Sequence, residues 1–211
     1  MKNESNFEQM SLLFLENEDE EPEKEKVFAQ SFGINHGGTD EWYTPREAVE
    51  VLLPYLEPGS KILCPFDTEE SEYVKVFKDH GYEVEYSHIS NGEDFFKLEK
   101  PNVDYVISNP PYSKRTAILK RLYEWGVPFA LLLNGTDLFD SWERFELAKH
   151  GGGVEVLYIY PRVRFLDSIG NRNSPPFQSC YWCSGLLKKG LEFASMEEDI
   201  SQITFWENLY E

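Results

Sequence analysis

Asn109-Pro110-Pro111-Tyr112 is the segment of this 211-residue chain whose residue types and spacing point most directly to chemistry. Asn109 carries a side-chain carbonyl, and Pro110 carries a backbone carbonyl with no N–H of its own to compete, so two acceptors can converge on one amino group. Tyr112 can stack on the face of an aromatic base, an interaction worth about 1–3 kcal/mol per base. A ring amine is a poor nucleophile because its lone pair is delocalised. Two acceptors on its hydrogens favour the pyramidal, nucleophilic form in a transition state. Such a site needs no general base from the protein. Taken alone, Asn-Pro-Pro is also an ordinary turn sequence.

The neighbouring elements decide between these readings. Val103-Asp104-Tyr105-Val106-Ile107-Ser108 is a β-branched and aromatic run that predicts a strand entering a buried sheet. After the tetrapeptide, Ile118, Leu122 and Trp125 recur at i, i+4 and i+7, which predicts a helix over 114–125. Ser113 is placed to cap it and Gly126 to end it. The order strand, tetrapeptide, helix puts the four residues at the carboxyl end of a strand, where open α/β sheets bind ligands.

Two further segments complete a pattern: Asp40-Glu41-Trp42-Tyr43-Thr44-Pro45 before a first helix, and Gly92-Glu93-Asp94-Phe95-Phe96. In this order and spacing the chain resembles, over residues 40 to 187, the amino-methyltransferases that modify adenine N6 in DNA, particularly the compact phage type. The resemblance implies a single Rossmann-like α/β methyltransferase domain: a mostly parallel, doubly wound sheet with an antiparallel edge pair. It also implies S-adenosylmethionine as cofactor and the exocyclic N6 amine of adenine as methyl acceptor, with Asn109, Pro110, Pro111 and Tyr112 as the catalytic segment. Carried over by position, cofactor binding falls to Tyr43, Thr44, Pro45, Asp94 and Phe95, with Asp94 accepting from the cofactor's adenine amine and Phe95 packing on that ring. By themselves, Thr44-Pro45 is a helix start and Asp94-Phe95 a loop acid beside a core aromatic.

Two places depart from that pattern. After the strand Lys61-Ile62-Leu63 the family shows an acid, a proline and a glycine-containing turn, whereas this chain reads Cys64-Pro65-Phe66-Asp67-Thr68-Glu69-Glu70-Ser71 with no glycine. Glycine would permit positive φ and close approach to a ligand, so this loop is expected to be reshaped. Asp67 is the candidate to meet the cofactor's ammonium. Thr68, Glu69 and Glu70 read as a helix start, with a Thr cap and acids in the first turn. At the end of the next strand, His88 stands where the family places an acid for the ribose hydroxyls, and imidazole can also bond a hydroxyl. The alternative to catalysis is a methyltransferase-like binding protein of a phage or mobile element, directed against host defence.

The formal net charge of −18 argues against nucleic acid, whose affinity comes largely from neutralised phosphates. The charge is unevenly placed. Residues 1–104 hold 9 Lys/Arg and 25 Asp/Glu, residues 105–190 hold 11 and 7, and residues 191–211 hold none and 6. The stretch bearing the tetrapeptide is thus the basic one, and Lys114, Arg115, Arg162, Arg164 and Arg172 are candidate phosphate contacts. Nucleic acid is the expected partner, DNA favoured over RNA through the resemblance alone.

A chain of this length with 41% hydrophobic and 15% aromatic residues builds one large core. No signal peptide and no membrane-length apolar run is seen, so the expectation is a soluble protein without membrane contact, in the cytoplasm of a bacterial host. Cys180 and Cys183 form a lone Cys-x-x-Cys inside the strand-like Phe177–Cys183. Residues three apart on a strand face opposite ways, so neither metal nor disulfide is expected, and Cys64 reads as a buried strand residue. Residues 1–35, with the acidic run Glu16 to Glu25, read as a flexible segment open to a protein partner; 36–190 as the domain; and 191–211 as an acidic C-terminal segment. Helices are expected over 45–56, 69–80 and near 137–149. Strands are expected at 61–66, 83–89, 129–133, 154–160 and near 177–187, with 167–176 a polar loop suited to touch a substrate.

Overall fold

The computed structural model describes residues 43–136, 140–167, 170–175 and 177–196. The acidic segment 1–35, together with Asp40, Glu41 and Trp42, lies outside the described residues. The predicted alternation appears as helices α1 (Arg46–Glu50), α2 (Glu72–Asp79), α3 (Arg115–Trp125) and α4 (Trp142–His150). The strands are β1 (Lys61–Cys64), β2 (Glu83–Tyr86), β3 (Tyr105–Ser108), β4 (Phe129–Asn134), β5 (Glu155–Tyr160), β6 (Phe165–Leu166), β7 (Arg172–Asn173), β8 (Ser179–Ser184) and β9 (Leu191–Ser195).

Seven strands form one sheet in the order β2-β1-β3-β4-β8-β5-β9. β1 pairs in parallel with β2 and β3, and β3 pairs in parallel with β4. β8 runs antiparallel to both β4 and β5. This is the expected mostly parallel, doubly wound α/β sheet. The antiparallel partner sits inside it, however, because β9 pairs in parallel with β5 and takes the edge. That strand falls in the stretch read as an acidic tail; its alternation of exposed Leu191 and Phe193 with half-buried Glu192 and Ala194 is too weak a pattern to reveal it. β7, inside the expected loop, pairs antiparallel with β6, which lies just before it.

Helices cover both faces of the sheet. On one side Ala48, Val49, Tyr73, Val74, Val76 and Phe77 of α1 and α2 pack on Ile62, Ile107, Leu132 and Tyr181. On the other, Ile118, Leu119, Leu122 and Leu147 of α3 and α4 pack on Val106, Phe129, Leu131 and Trp182. β4 is buried at all six positions, as a central strand between two helical layers must be. Truncating such a leucine to alanine costs about 2–5 kcal/mol. Within the second layer Tyr123, at the end of α3, donates to the Gly153 carbonyl at 2.9 Å and accepts from Trp182 Nε1 at 3.1 Å. Burial pushes its hydroxyl up to about 12.

Several boundaries move for identifiable reasons. The helix expected over 45–56 stops at Glu50 and gives way to a 3₁₀ turn at Leu53–Tyr55, because Pro54 has no N–H to continue it. The helix expected from 69 begins at Glu72, since Ser71, not Thr68, caps it by accepting from the Tyr73 N–H. The helix near 137–149 begins at Trp142 with Ser141 as its cap. Ser113 does not cap α3: Tyr112–Lys114 form a 3₁₀ turn leading into that helix, while Gly126 ends it in the left-handed region as expected. Cys64, Cys180 and Cys183 are all buried, and none of the three is in a disulfide.

Candidate functional site

The strand order reverses direction at β1: β2 lies on one side of it, β3 and β4 on the other. The end of the sheet beyond the carboxyl ends of β1 and β3 is therefore the switch point at which doubly wound sheets take ligands. Two segments singled out in the sequence emerge there, the loop 64–71 from β1 and the tetrapeptide from β3.

Parallel pairing on both sides drives β3 into the core, with Val106, Ile107 and Ser108 each fully buried. The chain then surfaces in steps: Asn109 is half-buried, Pro110 buried, Pro111 exposed and Tyr112 half-buried. Pro111 accepts from the Lys114 N–H at 3.0 Å, and Arg115 Nη1 donates to the Tyr112 carbonyl at 2.6 Å, so the segment is braced from its own far end. The Tyr112 ring lies 5.9 Å from that of Phe177 at the mouth of β8. Asn109 Oδ1 is buried and has no hydrogen-bond partner among the described residues. A buried acceptor without a donor costs about 1–3 kcal/mol, so this atom is suited to an incoming N–H.

The loop after β1 turns without glycine. No described residue other than glycine has positive φ, so the reshaping expected there is accomplished in ordinary conformations. The Asp67 N–H donates to the Ser87 carbonyl at 3.1 Å, the Ser87 N–H to the Cys64 carbonyl at 3.1 Å, and Ser87 Oγ to the Pro65 carbonyl at 3.3 Å, which holds the loop against the end of β2. The Asp67 side chain is 8% exposed and accepts from Ser71 Oγ on one oxygen and from Ser108 Oγ on the other. Burial pushes its carboxyl up to about 6, although the Ser108 and Ser71 hydroxyls pull it down. Glu69 turns away to Lys78 on α2, at 3.5 Å.

The remaining candidate cofactor residues occupy turns around the same end of the sheet. His88 Nδ1 accepts from the Ser90 N–H at 3.2 Å and caps the turn Ile89–Asn91. Asp94 Oδ1 accepts from the Phe96 N–H at 3.0 Å and caps the turn Phe95–Lys97. Phe95 is 4% exposed, with ring centroids 4.9 Å from Phe66 and 5.2 Å from Trp125, and so is built into the core. Its neighbour Phe96 is the exposed ring, and Lys114 Nζ stands 5.9 Å above it, bringing the segment 92–96 beside the tetrapeptide. Thr44 and Pro45 are buried at the start of α1, which is tied down where Tyr181 Oη donates to the Ala48 carbonyl at 2.8 Å and meets Tyr73 Oη at 3.0 Å. Tyr43 is 46% exposed and pairs through its backbone with Leu166.

Comparison with protein-family models finds no match to this chain, and comparison with curated proteins finds none. Among solved structures it is similar to a TehB-like SAM-dependent methyltransferase from Corynebacterium glutamicum ATCC 13032 Kitasato, at 13% identity and a TM-score of 0.34, over 80% of this chain and 100% of that one. The fold stands on the sheet order, and the site on its own residues.

The five basic candidates divide by surroundings. Lys114, Arg162 and Arg164 are exposed, and Arg162 Nη1 donates to the Pro175 carbonyl at 3.3 Å. Arg115 braces Tyr112, and Arg172 is paired with Glu47 of α1 at 2.5 Å. No described helix is long and apolar enough to cross a membrane. Ser71, Ser108, Phe177 and the 2%-exposed Arg144, which donates to Thr116 Oγ1 at 3.0 Å and ties α4 to the start of α3, were not foreseen. A serine closing an otherwise apolar strand was the available signal for Ser108. Nothing local distinguishes Phe177 or Arg144.

Proposed function

We propose that this chain is an S-adenosylmethionine-dependent methyltransferase acting on the exocyclic N6 amine of adenine in DNA. What supports the reading is the buried Asn109 Oδ1, without a partner among the described residues, at the carboxyl end of a central strand and followed by a proline carbonyl and an aromatic ring. Asn109 Oδ1 and the Pro110 carbonyl accept the two amine hydrogens and favour the form in which the nitrogen lone pair points outward. Tyr112, beside Phe177, holds the face of a base taken out of its stack. S-adenosylmethionine, when bound, supplies the methyl group on a sulfonium. Asp94 and His88 fit its adenosine part, since each uses one polar atom on its own turn and presents another, Asp94 Oδ2 and His88 Nε2. Phe95, being in the core, supports that region from below, and the exposed Phe96 is the ring available for stacking. Lys114, Arg162 and Arg164 offer phosphate contacts.

Transfer of labelled methyl from S-adenosylmethionine to DNA, RNA and free nucleotides tests the reading. Incorporation into DNA adenine is expected, reduced about 10²–10³-fold by Asn109→Ala, the cost of removing one such polar contact to a transition state. Equal incorporation by the variant would remove the tetrapeptide from the mechanism. A second reading, base binding without methyl transfer, draws on the commitment of Asp67 to Ser71 and Ser108, which withdraws an acid from the cofactor side. Calorimetry with S-adenosylmethionine separates the two, since no heat of binding at millimolar concentration would leave the second.

A further inference from the structure

We propose that Asp67 is a positioning residue for Asn109: its carboxylate clamps Ser108 to Ser71 and so sets the base-facing end of β3. β1 and β3 pair at Ile62 with Tyr105 and Leu63 with Val106, and the ladder ends there. Beyond Val106, β3 keeps a strand neighbour on one side only among the described residues, with Ser108 in register with Leu131 of β4. On the β1 side the Asp67 carboxylate takes over, accepting from the hydroxyl of Ser108, the residue immediately before Asn109. Its other oxygen accepts from Ser71 Oγ, and Ser71 is the cap of α2. One side chain thus joins the loop after β1, the end of β3 and the start of α2.

A carboxylate buried among hydroxyls is a costly joint unless its bonds are satisfied, and here both oxygens are. It also explains how Asn109 is held: its own Oδ1 has no partner among the described residues to anchor it, so its direction depends on the backbone of Ser108. Asp67 therefore serves the amine site from beneath instead of meeting the cofactor's ammonium.

The catalytic consequence rests on the proposed function; the clamp itself does not. NMR of the full ligand-free chain reads the clamp through the side-chain amide signals of Asn109, assigned by their loss in Asn109→Asp. Ser108→Ala and Asp67→Ala are expected to displace and broaden that pair, and Asp67→Asn, which keeps the shape and the hydrogen-bonding capacity, to restore it. Should Asp67→Ala fail to fold, Ser108→Ala against Asp67→Asn carries the comparison. Unmoved Asn109 signals in Ser108→Ala would overturn the inference. In methyl transfer, Ser108→Ala is expected to lower kcat about tenfold or more with the KM for S-adenosylmethionine changed less than about twofold, as misplacement of a reacting group requires. A raised KM for S-adenosylmethionine in Asp67→Asn at unchanged kcat would overturn it in favour of a direct cofactor contact. Displaced Asn109 signals in a protein with no methyl transfer would uphold the clamp and remove the proposed function.

Discussion

Replacing Asp67 with asparagine should change how stability depends on pH, by an amount set by the burial of that one carboxyl. Its pKa rises from 3.8 to about 6 because the side chain is desolvated, and the hydroxyls of Ser108 and Ser71 offset only part of the effect. A rise of that size corresponds to about 3 kcal/mol at 1.36 kcal/mol per pH unit. A carboxyl whose folded pKa lies above its unfolded one binds its proton more tightly in the folded chain. Its contribution is therefore fully present below pH 4 and is lost as the pH rises through about 6. The chain's other acidic residues are common to both proteins, so the measured quantity is the stability of the native chain minus that of Asp67→Asn, in which their contribution cancels. Urea unfolding followed by the fluorescence of the five tryptophans, at low protein concentration to avoid association near the pI of 4.6, supplies both values. Between pH 4 and 8 the difference should shift against the native chain by about 2–3 kcal/mol, most of it below pH 6.5. A difference flat to within about 0.5 kcal/mol would refute the reasoning, because an acid in contact with water gains nothing from its replacement.

Two other outcomes follow from the packing and from the basic surface. Gly151 closes α4 where a Cβ would stand 2.6 Å from the Leu147 carbonyl oxygen and 2.6 Å from the Tyr123 ring, so Gly151→Ala should cost about 1–3 kcal/mol in urea unfolding, and an unchanged midpoint would contradict this. Replacing Arg162 and Arg164 together by alanine should weaken DNA binding and lower the slope of log affinity against log salt by about 2, whereas Arg172→Ala, whose guanidinium is held by Glu47, should change that slope much less; fluorescence anisotropy over a salt series reads both.

The layered sheet and the place of the tetrapeptide were legible from local pattern. Apolar runs of four to six residues alternating with amphipathic stretches specify strands and helices through periodicity, and that information is carried by neighbours along the chain. β9 escaped because an edge strand with one face in solvent has a weak pattern. Ser71 rather than Thr68 became the cap because several residues competed for one role within a single turn, a contest settled by where the loop after β1 must pass.

The tetrapeptide's chemistry, two acceptors and a ring at the end of a buried strand, belongs to covalent structure and local order: proline lacks an N–H wherever it stands, and asparagine keeps its carbonyl. What Asp67 and Phe95 do was decided only in three dimensions. Ser108 lies forty-one residues from Asp67, and Trp125 lies thirty residues from Phe95, in the folded chain their immediate neighbours. Whether a carboxylate faces a ligand or a hydroxyl, and whether a ring lies open or inside a core, depends on burial. Burial is a property of the assembled layers, so the acceptors and the ring of the tetrapeptide were readable from the sequence, and the partners of Asp67 and Phe95 were not.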